Sequence, residues 1–354
     1  MIKDEYNVIG VMSGTSLDGI DIALINFKLN NSWSFKIIEA ETIGYDEQWL
    51  RKLIDLVTYS DEVLSKLDIE YTLYLSDVIS AFIKKNKISN IDAVCSHGHT
   101  ALHRPENKLT YQIGNLPILA QKIKQTVICD FRVQDVELGG QGAPLVPIGD
   151  ELLFQDYDYC VNLGGFANVS TKINGIRIAF DICPVNIVLN KYVSKFGIAY
   201  DDKGALAKDG TLNNDLLKKL NNLQFYKQNY PKSLGLEWVN ATMLPIIDAC
   251  SLPVKDVLRT VVEHIAIQIT QITNKTESDS VLVTGGGVYN LFLMSRIKAL
   301  SENSIKIPST QIIEFKEALI FGFLGVLKLR DENNCLASVT GAIKDHTSGK
   351  LYLG

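Results

Sequence analysis

Asp181 follows Ile178-Ala179-Phe180 at the end of an apolar run, where a carboxylate held at a strand end can serve as a general base. Asp18 and Asp21 sit beside a small-residue turn, Ser13-Gly14-Thr15-Ser16, and Gly164-Gly165 and Gly285-Gly286-Gly287 form two more turns after apolar runs. Glycine lets a backbone approach a ligand closely, and successive N–H groups can cup an anion. Each turn taken alone is also a plain tight turn. Their recurrence in equivalent places favours a polyphosphate held by the first two, with the third at a nucleoside end. No Gly-x-x-x-x-Gly-Lys-Ser/Thr segment occurs, so a P-loop lysine is not the device. Carboxylates beside phosphates repel them unless a divalent cation intervenes, which points from Asp18 and Asp21 to Mg²⁺. A solvated or hairpin-capping carboxylate is the competing reading for both.

A second group is polar and aromatic. His97, His99 and His103 lie within seven residues, with Thr100 between them. Alternate histidines on a strand would suit chelation, but Gly98 and a turn-like composition favour donors to a polar ligand instead. Arg132 and Asp135, after Val127-Ile128-Cys129-Asp130, are placed for the same work, or for a local ion pair.

These residues need strands to carry them. Val8 to Val11 and Asp21 to Phe27 read as a hairpin around the first turn, and Tyr159 to Leu163 and Val169 to Ile173 as a second around Gly164-Gly165. Gly175 to Asp181 is a third strand there, and two such hairpins suggest a degenerate duplication. Ile91 to Cys95, Val127 to Cys129 and Val281 to Val283 are buried strands. Apolar spacing predicts helices within 46–87, over 257–272, over 290–300 and over 316–330. The densest glycine cluster, Gly139-Gly140-Gln141-Gly142-Ala143-Pro144, marks the expected hinge, dividing residues 1–138 from 139–354, with the last helix crossing back.

A chain of 354 residues, 46% hydrophobic and 21% charged, is long enough for two cores. The 35 basic and 40 acidic residues leave a net charge of −5, without the basic field that draws nucleic acid. The longest apolar run, Ala318 to Leu327, is too short to span a bilayer, and no signal core follows the start. Six scattered cysteines suit a reducing compartment, so a cytoplasmic protein is expected, with no membrane partner. The oligomeric state stays open, a homodimer included.

Several ordered blocks resemble one family. They are Val11 to Asp21, Ser96-His97-Gly98-His99-Thr100 with His103, Asp130-Phe131-Arg132 with Asp135 through Leu145, Asn162 to Asn168, Phe180-Asp181, Gly285 to Asn290, Glu317-Ala318 and Val339-Thr340-Gly341-Ala342. The chain resembles anhydro-N-acetylmuramic acid kinases over nearly its whole length. The resemblance implies an α/β chain of two ribonuclease H-like domains of the actin/Hsp70/sugar-kinase type, closing on ATP and Mg²⁺. It implies that water opens the 1,6-anhydro bridge while O6 takes the γ-phosphoryl group, giving N-acetylmuramic acid 6-phosphate for murein recycling. Asp181 would activate the water. Gly14, Thr15, Ser16, Leu17, Asp18, Gly19, Ile20 and Asp21, with Gly164, Gly165, Gly285, Gly286, Gly287, Asn290 and Glu317, would hold nucleotide, with Asp18 and Asp21 on the metal. His97, His99, Thr100, Arg132 and Asp135 map to the sugar.

Two blocks depart from the family pattern. The family usually follows its aspartate with Thr-Gly-Pro-Gly-Asn, where this chain has Ile182-Cys183-Pro184-Val185-Asn186. The larger side chains of Cys183 and Val185 predict an altered pocket floor. His99 stands where glutamine is usual, exchanging an amide for an imidazole. Both changes fall on the sugar side. They keep open a kinase of the same fold for another sugar; a nucleotide-binding regulatory protein without turnover is the reading from another class.

Overall fold

The computed structural model describes residues 2–14, 17–275 and 279–354. It divides into two compact units, Met1–Leu153 with Phe315–Gly354, and Phe154–Glu314.

The first unit is built on a sheet whose alternating and wholly apolar strands leave both faces to be covered. Strands β1 (Glu5–Ser13), β2 (Ile20–Leu29) and β3 (Trp33–Ile43) form an antiparallel meander. Strand β4 (Ala93–Arg104) runs parallel to β1, with β5 (Leu109–Ile113) antiparallel to it, and β6 (Val127–Cys129) runs parallel to β4. The histidine segment is therefore strand, not turn. Gly98 sits at φ +73° in a position where a Cβ would strike the Ile113 carbonyl at 2.6 Å, which is why a glycine punctuates it. Two helices stand where the apolar spacing predicts helix in residues 46–87: Glu47–Ile54, capped by Asp46, and Asp61–Lys85, capped by Ser60.

The helix Thr310–Leu329 kinks at Phe315, where φ is −112°, and its remaining turns belong to the first unit. They lie against the sheet through glycines. A Cβ on Gly10 would meet the Ala318 carbonyl oxygen at 1.9 Å, and one on Gly325 would meet Cys95 Sγ at 2.1 Å. Lys316 and Asp150, both buried, pair at 2.8 Å beside this packing.

The second unit repeats the plan. Strands β7 (Tyr159–Leu163), β8 (Phe166–Ile173) and β9 (Ile176–Pro184) form an antiparallel meander; β10 (Ser280–Thr284) runs parallel to β7, and β11 (Ser304–Lys306) parallel to β10. The helix Val254–Thr273 supplies much of its core, from Val257 and Leu258 through Ile269. The two sheet orders, β3-β2-β1-β4-β6 and β9-β8-β7-β10-β11, correspond strand for strand. The short β12 (Lys350–Tyr352) extends the first sheet beyond β6. This is a duplicated α/β fold, two ribonuclease H-like units of the actin/Hsp70/sugar-kinase type.

The division drawn from the glycine cluster at 138/139 falls inside the first unit, and that cluster is not a hinge. Gly142 N donates to Asp135 Oδ2 at 2.7 Å, Gln141 N to the Thr340 carbonyl at 2.8 Å, and Arg132 Nη1 to the Gly142 carbonyl at 2.7 Å. A loop held by a buried carboxylate, a guanidinium and the C-terminal segment gives the chain no pivot. No helix among the described residues is long and apolar enough to cross a membrane.

Candidate active site

In the first unit the β1–β2 turn leaves a hairpin whose last pair is Ser13 with Ile20. Leu17 adopts φ +62° and its N–H reaches the Gly14 carbonyl at 3.3 Å, while Gly19, at φ +149°, lies so close to Ile43 that a Cβ would contact its carbonyl oxygen at 2.6 Å. Ile20 is buried beneath the hairpin and Asp18 is exposed. Thr15 and Ser16 lie outside the described residues. Asp21, half-buried on β2, accepts from Thr42 Oγ1 at 2.6 Å.

Ser13 is the centre of a buried hydroxyl network that nothing in the sequence announced. Its Oγ accepts from Tyr71 OH at 2.9 Å and lies 2.5 Å from Tyr45 OH and 2.6 Å from His99 Nδ1; the two tyrosine hydroxyls are 2.7 Å apart. Burial pushes the His99 imidazolium down to about 4, so near neutrality the ring is uncharged and presents its second nitrogen as the other polar atom. Thr100, the next residue on β4, accepts from Gln112 Nε2 at 3.5 Å.

His97 is committed at both nitrogens. Nε2 accepts from Arg132 Nε at 2.8 Å, which leaves the proton on Nδ1 to be donated to the Gly98 carbonyl at 2.9 Å. Burial first, and then the Arg132 charge, push its pKa well below the usual range. A neutral His97 thus acts as a rest for the guanidinium. Glu317 is partly reached by solvent, yet desolvation of its carboxyl by the surrounding protein raises its pKa, with Arg132 opposing and Asp21 adding a smaller rise.

Asp135 differs from its sequence reading. It is fully buried, and its oxygens accept from Gly142 N at 2.7 Å and Thr340 Oγ1 at 2.6 Å. A carboxylate so enclosed braces the loop that carries the Arg132 contact and does not itself face a ligand. Nor do His97, His99 and His103 gather as metal ligands: among the described residues, the only group of histidine, cysteine and acid close enough to share an ion lies elsewhere.

In the second unit Asp181 is on β9 opposite Asn168, at a bulge that shifts the register between Ala167 and Asn168. Its Oδ2 accepts from Leu234 N at 2.7 Å, and its own N–H donates to the Lys232 carbonyl at 3.1 Å. Burial raises its carboxyl above the usual range, with the Leu234 N–H opposing. The segment bearing Lys232 and Leu234 was invisible to motif reasoning, because it lies 53 residues on from Asp181 in an irregular stretch. Ile182, Cys183 and Val185 are 2%, 0% and 0% exposed and belong to the unit's hydrophobic core. The residues that depart from the family's loop therefore pack into the core beside Asp181.

The glycine turns separate by what the fold demands of them. Gly285 has φ +84°, and a Cβ on Gly287 would meet Leu163 Cβ at 2.6 Å, so the turn itself needs both. Gly286 is exposed, has an ordinary φ, and has nothing within 4 Å of a Cβ. The same holds for exposed Gly165, whose Cβ would only reach Ile187 Cβ at 4.0 Å. Neither is required by the chain's own packing, as a surface kept bare for close approach of a ligand would be. Gly164 is less open: its N–H is spent on the Phe166 carbonyl at 3.1 Å, and its carbonyl receives Asn186 N at 3.3 Å at the start of the helix Asn186–Val193. Asn290 caps the helix Leu291–Leu300, its Oδ1 accepting from Leu293 N at 2.9 Å. Its amide nitrogen is what it can offer besides.

With this geometry in hand, comparisons with known proteins add an independent line. Residues 6–354 match the family model described as anhydro-N-acetylmuramic acid kinase. The chain is 35% identical over 370 residues to the anhydro-N-acetylmuramic acid kinase of Pasteurella multocida, covering 97% of this chain and 96% of that one. It is 33% identical to that of Haemophilus influenzae, covering 99% and 98%, and 31% identical to that of Sulfurimonas denitrificans, covering 97% and 98%. Among solved structures, the activator of the 2-hydroxyisocaproyl-CoA dehydratase from Clostridium difficile with bound ADPNP covers 92% of this chain and 97% of its own at 12% identity, with a TM-score of 0.41. A ROK family protein from Streptococcus pneumoniae in complex with sucrose covers 92% and 99% at 10% identity, with a TM-score of 0.36. The matches in sequence run end to end and at a level that chance does not reach, and the chain belongs to the anhydro-N-acetylmuramic acid kinase family.

Proposed function

We propose that this protein phosphorylates anhydro-N-acetylmuramic acid at O6 with ATP while water opens the 1,6-anhydro bridge, giving ADP and N-acetylmuramic acid 6-phosphate in the cytoplasm. The observation that carries the mechanism is Asp181, a half-buried carboxylate held at one oxygen by Leu234 N and raised in pKa by burial. One oxygen is fixed and the other is left to take a proton, and the raised pKa strengthens it as a base. It removes a proton from the water that bonds to C1. The C1–O6 bond then breaks, and O6 takes the γ-phosphoryl group as the bond to the β-phosphate breaks.

Bare Gly165 and Gly286 support close approach of phosphates and nucleoside in the second unit. In the first, Gly14 and Leu17 through Asp21 would contribute to the other phosphate turn. The carboxylates beside that turn, exposed Asp18 and half-buried Asp21, are oxygen donors of the kind a divalent cation takes. Asp18 and Asp21 would hold Mg²⁺, which when bound supplies charge neutralisation to the phosphates. Arg132, fixed by His97, is the polar group offered to the sugar with Thr100, while His99, nearly as buried as Asp135, acts there through its bond to Ser13. Asp135 acts by positioning Arg132's loop.

The test is ADP release with Mg-ATP, with and without 1,6-anhydro-N-acetylmuramic acid. Release that depends on the sugar supports the reading; nucleotide binding without sugar-dependent release contradicts it and returns the question to other sugars.

A further inference from the structure

Asp135, Cys335 and His346 form a buried group in the first unit that the phosphoryl-transfer reading does not use. Their donor atoms lie within 4.8 Å of one another, and the three residues are 0%, 1% and 5% exposed. They come from separate places: Asp135 from the short helix Val133–Glu137, and Cys335 and His346 from the C-terminal segment, where the two face each other across an isolated antiparallel bridge.

The arrangement leaves one atom unexplained. His346 Nδ1 lies 3.2 Å from the Lys344 carbonyl and must carry a proton to bond it. In the neutral ring Nε2 presents its lone pair, buried and without a hydrogen-bond partner, 3.6 Å from Asp135 Oδ1. Two acceptors confronting each other in a dry site are repulsive, and a buried nitrogen without a partner is destabilising. Asp135 cannot turn away, because Thr340 Oγ1 and Gly142 N fix its two oxygens. A cation between the lone pairs converts the repulsion into two bonds.

We propose that Asp135, Cys335 and His346 form a structural site for a divalent transition metal, zinc by the mixed nitrogen, sulfur and oxygen donors. The edges of a zinc tetrahedron are roughly 3.3–3.8 Å, given bonds of ~2.0–2.3 Å. The observed separation of nitrogen and oxygen fits that range, and the sulfur needs to draw in by about 1 Å or less. The metal fastens the C-terminal segment to the helix that follows Arg132, and so stiffens the loop receiving the Arg132 side chain. It is distinct from the Mg²⁺ that accompanies nucleotide.

The full-length chain, freed of metal by chelator and gel filtration, would be titrated with Co²⁺ alone while near-ultraviolet and visible absorption are recorded. The expected result is one equivalent bound per chain with a thiolate-to-cobalt charge-transfer band, displaced by Zn²⁺, which also raises the melting temperature. The band should vanish in Cys335→Ser, and His346→Gln should weaken Co²⁺ binding at least tenfold. Cys335→Ser is nearly isosteric, and circular dichroism of the metal-free variant would verify that it folds. No thiolate band in the wild-type chain overturns the proposal and assigns the Asp135–His346 contact to a proton on Nε2. A band undiminished in Cys335→Ser overturns it equally, since the metal would then sit on another cysteine.

Discussion

At the residue scale, the account turns on one carboxylate and two bare glycines. Removing the base in Asp181→Asn should lower kcat by about 10²–10⁴-fold, the usual worth of general-base catalysis, and leave the Kd for ATP unchanged. Because burial raises the Asp181 carboxyl, the acid limb of the kcat profile should lie above the ordinary aspartate range, with activity lost as pH falls through it. Gly286 is a different kind of residue. Nothing surrounds a Cβ there, so Gly286→Ala should change stability by less than about 1 kcal/mol, and in the stabilising direction. Gly286→Val should raise KM for ATP several-fold with melting temperature unmoved. A loss of folding instead would return the turn to a purely structural role. Asp181 and the glycines could be read from the sequence because each sits in an uninterrupted local motif. Tyr45, Tyr71, Lys232 and Leu234 could not. They reach Ser13 or Asp181 only through the folded chain, and neither a tyrosine in a helix nor a lysine in an irregular segment carries a local signal.

At the scale of elements, the strand hairpins were legible because alternation and small-residue turns are local properties. The histidine strand was not, since Gly98 imitates a turn and only pairing with β1 and β5 makes it strand. Close packing of the last long helix is likewise hidden in composition: Gly325 reads as an imperfection in a helix until Cys95 is found beneath it. Gly325→Ala should destabilise the chain by about 1–3 kcal/mol, measured by urea unfolding, because the methyl would overlap Cys95 Sγ. Three buried histidines set a pH dependence of the elements holding them. Burial puts His99 at about 4 and His264, in the helix Val254–Thr273, at about 3, and lowers His97 as well. Each unfolds to a group of pKa about 6.5, so the unfolded chain binds the extra protons. Stability is thus fully present above pH ~6.5 and is lost as pH falls from there toward the folded values. Between pH ~7.5 and ~5.5 each should cost about 1 kcal/mol, and His264→Gln should reduce that slope. A stability independent of pH over this range would contradict the neutral, buried assignments.

At the scale of the whole molecule, the two units differ in how the chain makes them. Residues 154–314 form one continuous unit, whereas the other needs residues 315–354 to return to 1–153. The continuous fragment should therefore fold alone with a cooperative transition, and 1–153 should not, lacking the helix whose carbonyl backbone meets Gly10. The division was misread from sequence because glycine density resembles a hinge, while its anchoring by Asp135 and Thr340 depends on residues about 200 positions apart, 205 in the chain. The duplicated sheet order gives each unit a hairpin turn in the same place, and the chain's family is one of kinases. The most direct test is the mass of the sugar product made from 1,6-anhydro-N-acetylmuramic acid and Mg-ATP, with ADP counted in the same sample. The account predicts a product heavier than substrate by one phosphoryl group and one water, with one ADP for each, and neither formed by Asp181→Asn at a comparable rate. A product heavier by the phosphoryl group alone, or ADP formed without any phosphorylated sugar, would contradict it.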